Sequence, residues 1–405
     1  MRARRRMWAV AAGSAALALV SSACPPHVTL SDRKAPRIVG YLRSSGTALF
    51  DEAGHRVQLS SVALHDLVPG SGYSSADSSP TVGCRGYSEP SQLELGDVAA
   101  WGFNSVRLAI SWANLEPRSP TRLADGSLQH QWNMPYVQAL DRTIQGLREH
   151  GIAVILDMHQ WQWSPAFHAI PRGGATVCQG QGMPAWLYPD ATSLPFRQAK
   201  CNFFADHPEP GVVVPSLWQA FADAWRFLAG RYANNDTVAG ADMINEPYTS
   251  QNLCSAQSLQ LDRFYTQVGG AIRSANPKIA LIFEDTADQG NGVFGVHSPP
   301  PFPNVIYSWH EYSSEWIPEG KARVDTFEAR AARWQVPSWI GEFNRFGKTQ
   351  GLPLDWPLQL AQFLRYCRNL DIGWSYWALA GEDGLISGRT GTPNLELVAA
   401  VQTGL

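Results

Sequence analysis

The sequence predicts an α/β fold, a (β/α)8 TIM barrel with an N-terminal β-hairpin and a long aromatic loop after strand three. Three observations carry that expectation. From about residue 37 to residue 405, short apolar runs of strand character alternate with helical runs that keep one apolar stripe. The 405 residues, 44% of them hydrophobic, suffice for one barrel with insertions, and no linker, repeat or low-complexity tract divides them. Polar side chains recur where the strand runs end, and in a barrel those ends share one face.

The first residues read as a targeting segment and not as fold. Arg2, Arg4, Arg5 and Arg6 precede an apolar stretch from Trp8 to Val20 and the small residues Ser21, Ser22 and Ala23. Residues 1–23 are thus expected to be a bacterial secretory signal, too short to span a membrane as a helix. Cys24 is a candidate for lipidation, which would attach the chain to a membrane, and the adjacent arginines also fit twin-arginine export. The expected location is secreted or at the cell surface.

The strands and helices follow in order. Extended segments around DEAGHR (Asp51 to Arg56) read as a hairpin lid, and VQLSSVAL then leads inward as the first strand. SVRLAIS (Ser105 to Ser111) is the second strand. Val137, Leu140, Ile144 and Leu147 mark the apolar stripe of the next helix, which Gly151 closes. AVILDMH (Ala153 to His159) is a continuous apolar run ending in polar residues, as a parallel barrel strand does. A helix from Ser216 to Tyr232 turns Leu217, Phe221, Ala224 and Leu228 inward and leads to AGADMINEP. A helix over 258–276 leads to IALIFED. VIYSWHEY, a helix over 321–334 and PSWIGEF follow. The last helix, 357–369, carries Leu360, Phe363, Leu364 and Cys367 on one stripe and precedes IGWSYWAL.

The stretch from Gln160 to Pro215 is too long for a simple strand-to-helix connection. It holds Trp161, Trp163, Phe167, Trp186, Tyr188, Phe196, Phe203 and Phe204. It reads either as a roof over the cleft or as a self-packed insertion, and the two are compatible. Export implies an oxidising destination, so Cys84, Cys178, Cys201 and Cys254, all in loop sequence, are expected to pair. Spacing leaves their connectivity open, with Cys178–Cys201 favoured because both flank one insertion. Cys367 reads as a buried free thiol.

A net charge of −3 with 17% charged residues points to no nucleic-acid partner, and the chain is expected to be a monomer. The 16 tryptophans are many for this length; most are expected to fill core and rim, and surplus indole suits stacking on sugar rings. Arg107, Asp157, His159, Asn245, Glu246, His310, Tyr312, Glu342 and Trp377 all fall in or at the end of strand runs. Two of them, Glu246 in ADMINEP and Glu342 in WIGEF, form the carboxylate pair that glycosidic cleavage requires. A metal-dependent hydrolase is the weaker reading, because HEYSS is not HExxH and the strand-end histidines lack partners at metal spacing. A non-catalytic carbohydrate-binding barrel is the other alternative; the presence of both glutamates argues against it.

The ordered set SVRLAISW, LDMHQ, NEP, WHEY, GEF and YWAL resembles glycoside hydrolase family 5, the cellulase-like barrel glycosidases. The resemblance implies a retaining β-glycosidase that needs no cofactor and no metal, with Glu246 as acid/base and Glu342 as nucleophile. Arg107 and Tyr312 are then expected to hold the charge of Glu342, and that charge to raise the pKa of Glu246. Asn245 would contact the substrate 2-hydroxyl, and His310 and His159 would tune Glu246 or bind hydroxyls. Trp377 would form the sugar platform of the −1 subsite. DMHQ followed by an aromatic loop containing GMPAWL is similar to the endoglycoceramidase-like subgroup, whose substrates are β-linked glycolipids. Trp161 departs from that subgroup, where an acidic residue is expected. The substrate is accordingly a β-glucan or a β-linked glycolipid.

Overall fold

The structure, a computed structural model, describes residues 29–405 except 69–86, 161–162, 168–169, 173–174, 178–181, 192, 248–253, 255–258, 287–293, 314–315, 345–355, 382–383 and 388–390. The signal segment, Cys24, Cys84, Trp161 and Cys178 lie outside the described residues. Eight parallel strands close into a barrel. They are β1 (Ser60–Leu64), β2 (Ser105–Ile110), β3 (Ala153–Met158), β4 (Val238–Asp242), β5 (Ala280–Glu284), β6 (Val305–Glu311), β7 (Ser338–Phe343) and β8 (Gly373–Tyr376). Each pairs with its neighbours in sequence, and β8 closes on β1 through Trp374 beside Ser60.

The helices of eight or more residues among those described are α1 (Gln92–Ala100), α2 (Met134–Glu149), α3 (Phe196–Phe204), α4 (Leu217–Arg231), α5 (Leu261–Ala275), α6 (Lys321–Trp334), α7 (Trp356–Asn369) and α8 (Leu395–Gln402). The predicted stripes are the buried ones: Val137, Leu140, Ile144 and Leu147 on α2, and Leu217, Phe221, Ala224 and Leu228 on α4. Ser216 caps α4 by accepting from the Gln219 amide, and Gly151 follows α2 at φ +72°. Cys367 on α7 is a buried free thiol, as expected.

Side chains alternate along each strand between the lumen and the surrounding helices. On β5, Leu281 and Phe283 join the core under the helices, while Ala280 and Ile282 join the lower lumen. The hairpin contributes to that lower lumen. Its three-stranded antiparallel sheet (Arg43–Ser45, Ala48–Phe50, Arg56–Val57) sets Leu49 and Val57 in one cluster with Ala153, Ala239, Ile306 and Trp339. Those barrel residues stand in the first two positions of their strands, so the hairpin plugs the N-terminal mouth. The expected lid is a bottom plug, on the opposite end from the polar residues.

The long loop after β3 is mostly core. Trp163, Phe203 and Phe204 are fully buried, and Phe203 and Phe204 pack edge-on against Phe264 of α5. Trp163 donates through Nε1 to the Tyr188 hydroxyl at 2.6 Å, and Ala113 donates to the Gly182 carbonyl at 2.7 Å. Gly182 of GMPAWL sits at φ +122°, and a Cβ there would meet Gln160 Cβ at 2.6 Å. Of the two readings of this loop, the described aromatics follow the packed one. Cys201 on α3 is bonded to Cys254 in the segment after β4, not to Cys178. The folded loop carries its cysteine across to the next connection, a proximity that sequence spacing does not encode. Among the described residues no helix is long and apolar enough to cross a membrane.

Candidate active site

The alternation that fills the lower lumen with Ile155, Ile282 and Ile306 lifts polar residues into its upper half. Arg107 on β2 lies between Val106 and Leu108, which face the helices, so its own side chain enters the lumen and is fully buried. Its Nη1 donates to Glu342 Oε1 at 2.5 Å and lies 3.0 Å from Asp157 Oδ2. Its Nε donates to Asp242 Oδ2 and its Nη2 to Asn245 Oδ1, each at 2.9 Å. Burial pushes Asp157 and Asp242 up to about 7, against the pull of the guanidinium they share.

Glu342 reaches the lumen because β7 is bulged. Trp309 pairs with Ile340 and His310 with Glu342, so Gly341 has no partner on β6. The register against β8 shifts at the same place. Ile340 and Phe343 both face the helices, which leaves two consecutive residues, Gly341 and Glu342, turned inward. A Cβ on residue 341 would meet Ser308 Oγ at 2.7 Å and His310 Nε2 at 3.1 Å, which is the reason for glycine in GEF. Tyr312 donates its hydroxyl to Glu342 Oε2 at 2.8 Å. With Arg107 on Oε1, each carboxylate oxygen of Glu342 has a donor.

Glu246 lies beyond the end of β4, in the left-handed region at φ +40°. Such a backbone costs about 1–3 kcal/mol for a non-glycine residue unless its surroundings enforce it. Here the Glu246 amide donates to Glu284 Oε2 at 2.9 Å, and its carbonyl accepts from Gln160 Nε2 at 2.8 Å. His310 Nδ1 stands 2.9 Å from Glu246 Oε1. Burial raises the Glu246 pKa, and Lys200, His159 and Arg107 oppose it. The cause differs from the expected one: desolvation, and not the charge of Glu342, leads.

The wall beside the two glutamates is aromatic. Trp377, one residue past β8, stacks on His159 at 5.1 Å and 10° and meets His65 edge-on at 5.3 Å. Asp157 accepts from His159 Nδ1 at 2.8 Å, and burial holds the His159 pKa down at about 4, so the ring is neutral. One oxygen each of Glu246 and Glu342 and a nitrogen of His310 lie within 4.8 Å of one another. Arg107, His159, Asn245, Glu246, His310, Tyr312, Glu342 and Trp377 are therefore brought together at one end of the barrel.

The model of the cellulase family, glycosyl hydrolase family 5, matches residues 76–383. The chain belongs to glycosyl hydrolase family 5. An endoglucanase of Paenibacillus polymyxa is 25% identical over 295 residues, 69% of this chain and 62% of that enzyme. The chain thus spans less than two thirds of that relative. Among solved structures, an endogalactoceramidase aligns with a TM-score of 0.69 at 23% identity, over 90% of this chain and 85% of that one. Endo-glycoceramidase II from Rhodococcus sp., solved as a lactosyl-enzyme intermediate, aligns at 0.65 and 24% identity, over 90% and 81%. Both likenesses concern the fold.

The family 5 site also holds groups that motif reading passed over. Asp242 and Glu284 are fully buried lumen carboxyls, and Lys200 of α3 is buried where its charge acts on Glu246. Glu284 is the last residue of β5, within IALIFED, so the strand-end rule that found Glu246 applies to it equally. Lys200 carried no signal, because only the folded loop brings it near. By distance alone, Asp157, His159 and Glu342, or Glu246, His310 and Glu342, are close enough to share a cation. The sequence expectation that these histidines lack such partners is corrected: tertiary contact, not spacing, supplies them. Arg107 already places a fixed positive charge against Asp157 and Glu342, which disfavours a second cation there.

Proposed function

We propose that the chain is an exported retaining β-glycosidase that hydrolyses a β-glucan or a β-linked glycolipid by double displacement. The observation that carries this reading is the carboxylate pair: an oxygen of Glu246 and one of Glu342 lie within 4.8 Å, with Arg107 and Tyr312 on Glu342 and His310 beside Glu246. Retaining glycosidases place the two carboxyls about 5–5.5 Å apart, and inverting ones about 6.5–9.5 Å, to admit water between them. The Rhodococcus neighbour, solved as a lactosyl-enzyme intermediate on the same fold, supports the same choice.

Glu342 attacks the anomeric carbon, forming an ester as the glycosidic bond breaks. Arg107 and Tyr312, donating to its two oxygens, hold it in line and steady its charge. Glu246 gives its proton to the departing oxygen. Burial keeps that proton on the carboxyl in the resting site. Water then gives a proton back to Glu246 and a hydroxyl to the anomeric carbon, and Glu342 leaves.

Asn245 Nδ2 donates one hydrogen to the Gln160 carbonyl at 3.1 Å, and its second hydrogen serves the sugar 2-hydroxyl. Neutral His159 donates through Nδ1 to Asp157, so its Nε2 accepts from a sugar hydroxyl. Trp377 is the ring platform of the reacting sugar. Residues 1–23 are proposed as the export signal, with Cys24 as a lipid-attachment candidate.

Glu342→Gln is the deciding experiment. Hydrolysis of an activated aryl β-glycoside should fall by several orders of magnitude while circular dichroism stays unchanged; near-normal turnover would overturn the nucleophile assignment. Product chromatography on β-glucans and glucosyl lipids separates the two substrate classes. The ceramide-glycoside activities named for both solved neighbours favour the glycolipid.

A further inference from the structure

Glu284 touches Glu246 twice, once directly and once through a histidine. Its Oε2 accepts the Glu246 main-chain N–H at 2.9 Å. Its Oε1 lies 3.3 Å from His310 Nε2, and the opposite ring nitrogen, Nδ1, lies 2.9 Å from Glu246 Oε1. All three side chains sit in the upper lumen, Glu284 with no exposure and His310 nearly so. Alternation along β5 aims Glu284 inward, and the Tyr265 hydroxyl holds the strand end by bonding both the carbonyl and the amide of Glu284.

We propose that Glu284 is a positioning residue for the acid/base: as a neutral carboxylic acid it donates to His310 Nε2, which turns Nδ1–H toward Glu246, while its other oxygen fixes the Glu246 main chain. The inference rests on the reading of Glu246 as acid/base. Proton counting supports it. A buried imidazole that is neutral carries one N–H, and burial holds the His310 pKa down at about 3. If that hydrogen faces Glu246, the Nε2 lone pair needs a donor, and Glu284 is the carboxyl within reach. Burial, joined by repulsion from Asp242, raises the Glu284 pKa against the pull of Arg107 and of the Glu246 N–H. The other groups facing His310 are Glu342, 3.4 Å from Nδ1, with Arg107, His159 and the Tyr312 ring.

The arrangement serves the chemistry. Glu246 Oε1 accepts from His310, so its transferable proton is confined to Oε2. The left-handed main chain at φ +40° is held by the Glu284 oxygen on one side and Gln160 on the other. Glu284 touches neither sugar nor reacting atoms in this scheme, and its effect passes wholly through Glu246.

The test compares Glu284→Gln with Glu284→Leu on two substrates. Glutamine keeps both contacts, an amide N–H toward His310 and a carbonyl toward the Glu246 amide. Leucine keeps neither. On a phenyl β-glycoside, whose departure needs a proton, Glu284→Gln should keep kcat/KM within about fivefold, whereas Glu284→Leu should lose about 100-fold, the scale of general-acid assistance. On a dinitrophenyl β-glycoside, which departs unassisted, both variants should stay within about tenfold. Equal losses on both substrates, or a folded Glu284→Gln as damaged as Glu284→Leu, overturns the proposal. Nitrogen-15 spectra of the imidazoles give a readout free of turnover: wild type should show His310 protonated at Nδ1, and an Nε2–H signal overturns the tautomer. Failure of the glycosidase reading itself looks different. It would appear as a wild-type enzyme inactive on every aryl β-glycoside, with the His310 tautomer unaffected.

Discussion

Arg107 and Glu342 meet at 2.5 Å across the barrel lumen, joining the second strand to the seventh through a fully buried guanidinium. The same group also binds Asp157, Asp242 and Asn245, so one cation organises three carboxyls from three strands. An arrangement of this kind stands only if complete, because each partner would otherwise be a buried, unpaired charge.

Arg107→Met leaves Asp157, Asp242 and Glu342 without their common cation. Breaking a buried pair by removing one partner costs about 3–5 kcal/mol, and denaturant titration should show a loss of that order. Arg107→Lys should recover part of the stability but not the activity, since an ammonium cannot reach all these oxygens in one plane.

The pH–rate profile should fall on its alkaline side with the titration of Glu246. Its pKa is raised by burial, so the protonated, working form persists above the ordinary carboxylate range and is lost as pH climbs through the raised value. Glu246→Ala should abolish that limb, and azide should restore turnover of a substrate with a good leaving group. A limb unchanged in Glu246→Ala, measured as kcat/KM against pH, would assign it to another group.

Gly341→Ala places a methyl 2.7 Å from Ser308 Oγ and 3.1 Å from His310 Nε2. Overpacking of this size costs about 1–3 kcal/mol, and here it should displace the imidazole as well. Activity should fall more than tenfold while the thermal midpoint drops only modestly, read by kinetics and calorimetry on the same sample.

The Cys201–Cys254 bond closes a separation of 53 residues and joins the loop after β3 to the segment after Glu246. Replacing both cysteines by serine should lower stability by about 2–4 kcal/mol. Treatment of the native protein with a phosphine reductant should shift stability in the same direction; Cys367, a free thiol, offers it no bond to reduce.

Much of the site was legible before folding, for a local reason. A barrel puts the carboxyl ends of its strands on one face, so a polar residue ending an apolar run declares its position without knowledge of its neighbours. Glu246, His310, Glu342 and Trp377 were found in that way, and Glu284 could have been. Helix stripes were equally plain, since a 3.6-residue period exists within one segment.

The sequence by itself determined the eightfold alternation, the helix faces and the ordered motifs of family 5. Only the tertiary structure decided the rest. The hairpin became a plug at the N-terminal mouth, the aromatic loop turned into core beneath α4 and α5, and Cys201 found Cys254. Glu342 gained the lumen through an unpaired Gly341, and Arg107 gathered carboxyls from distant strands. The division follows from what each property depends on. Periodicity and strand ends are set by neighbours along the chain, whereas pairing, burial and charge balance depend on groups the closed barrel brings together.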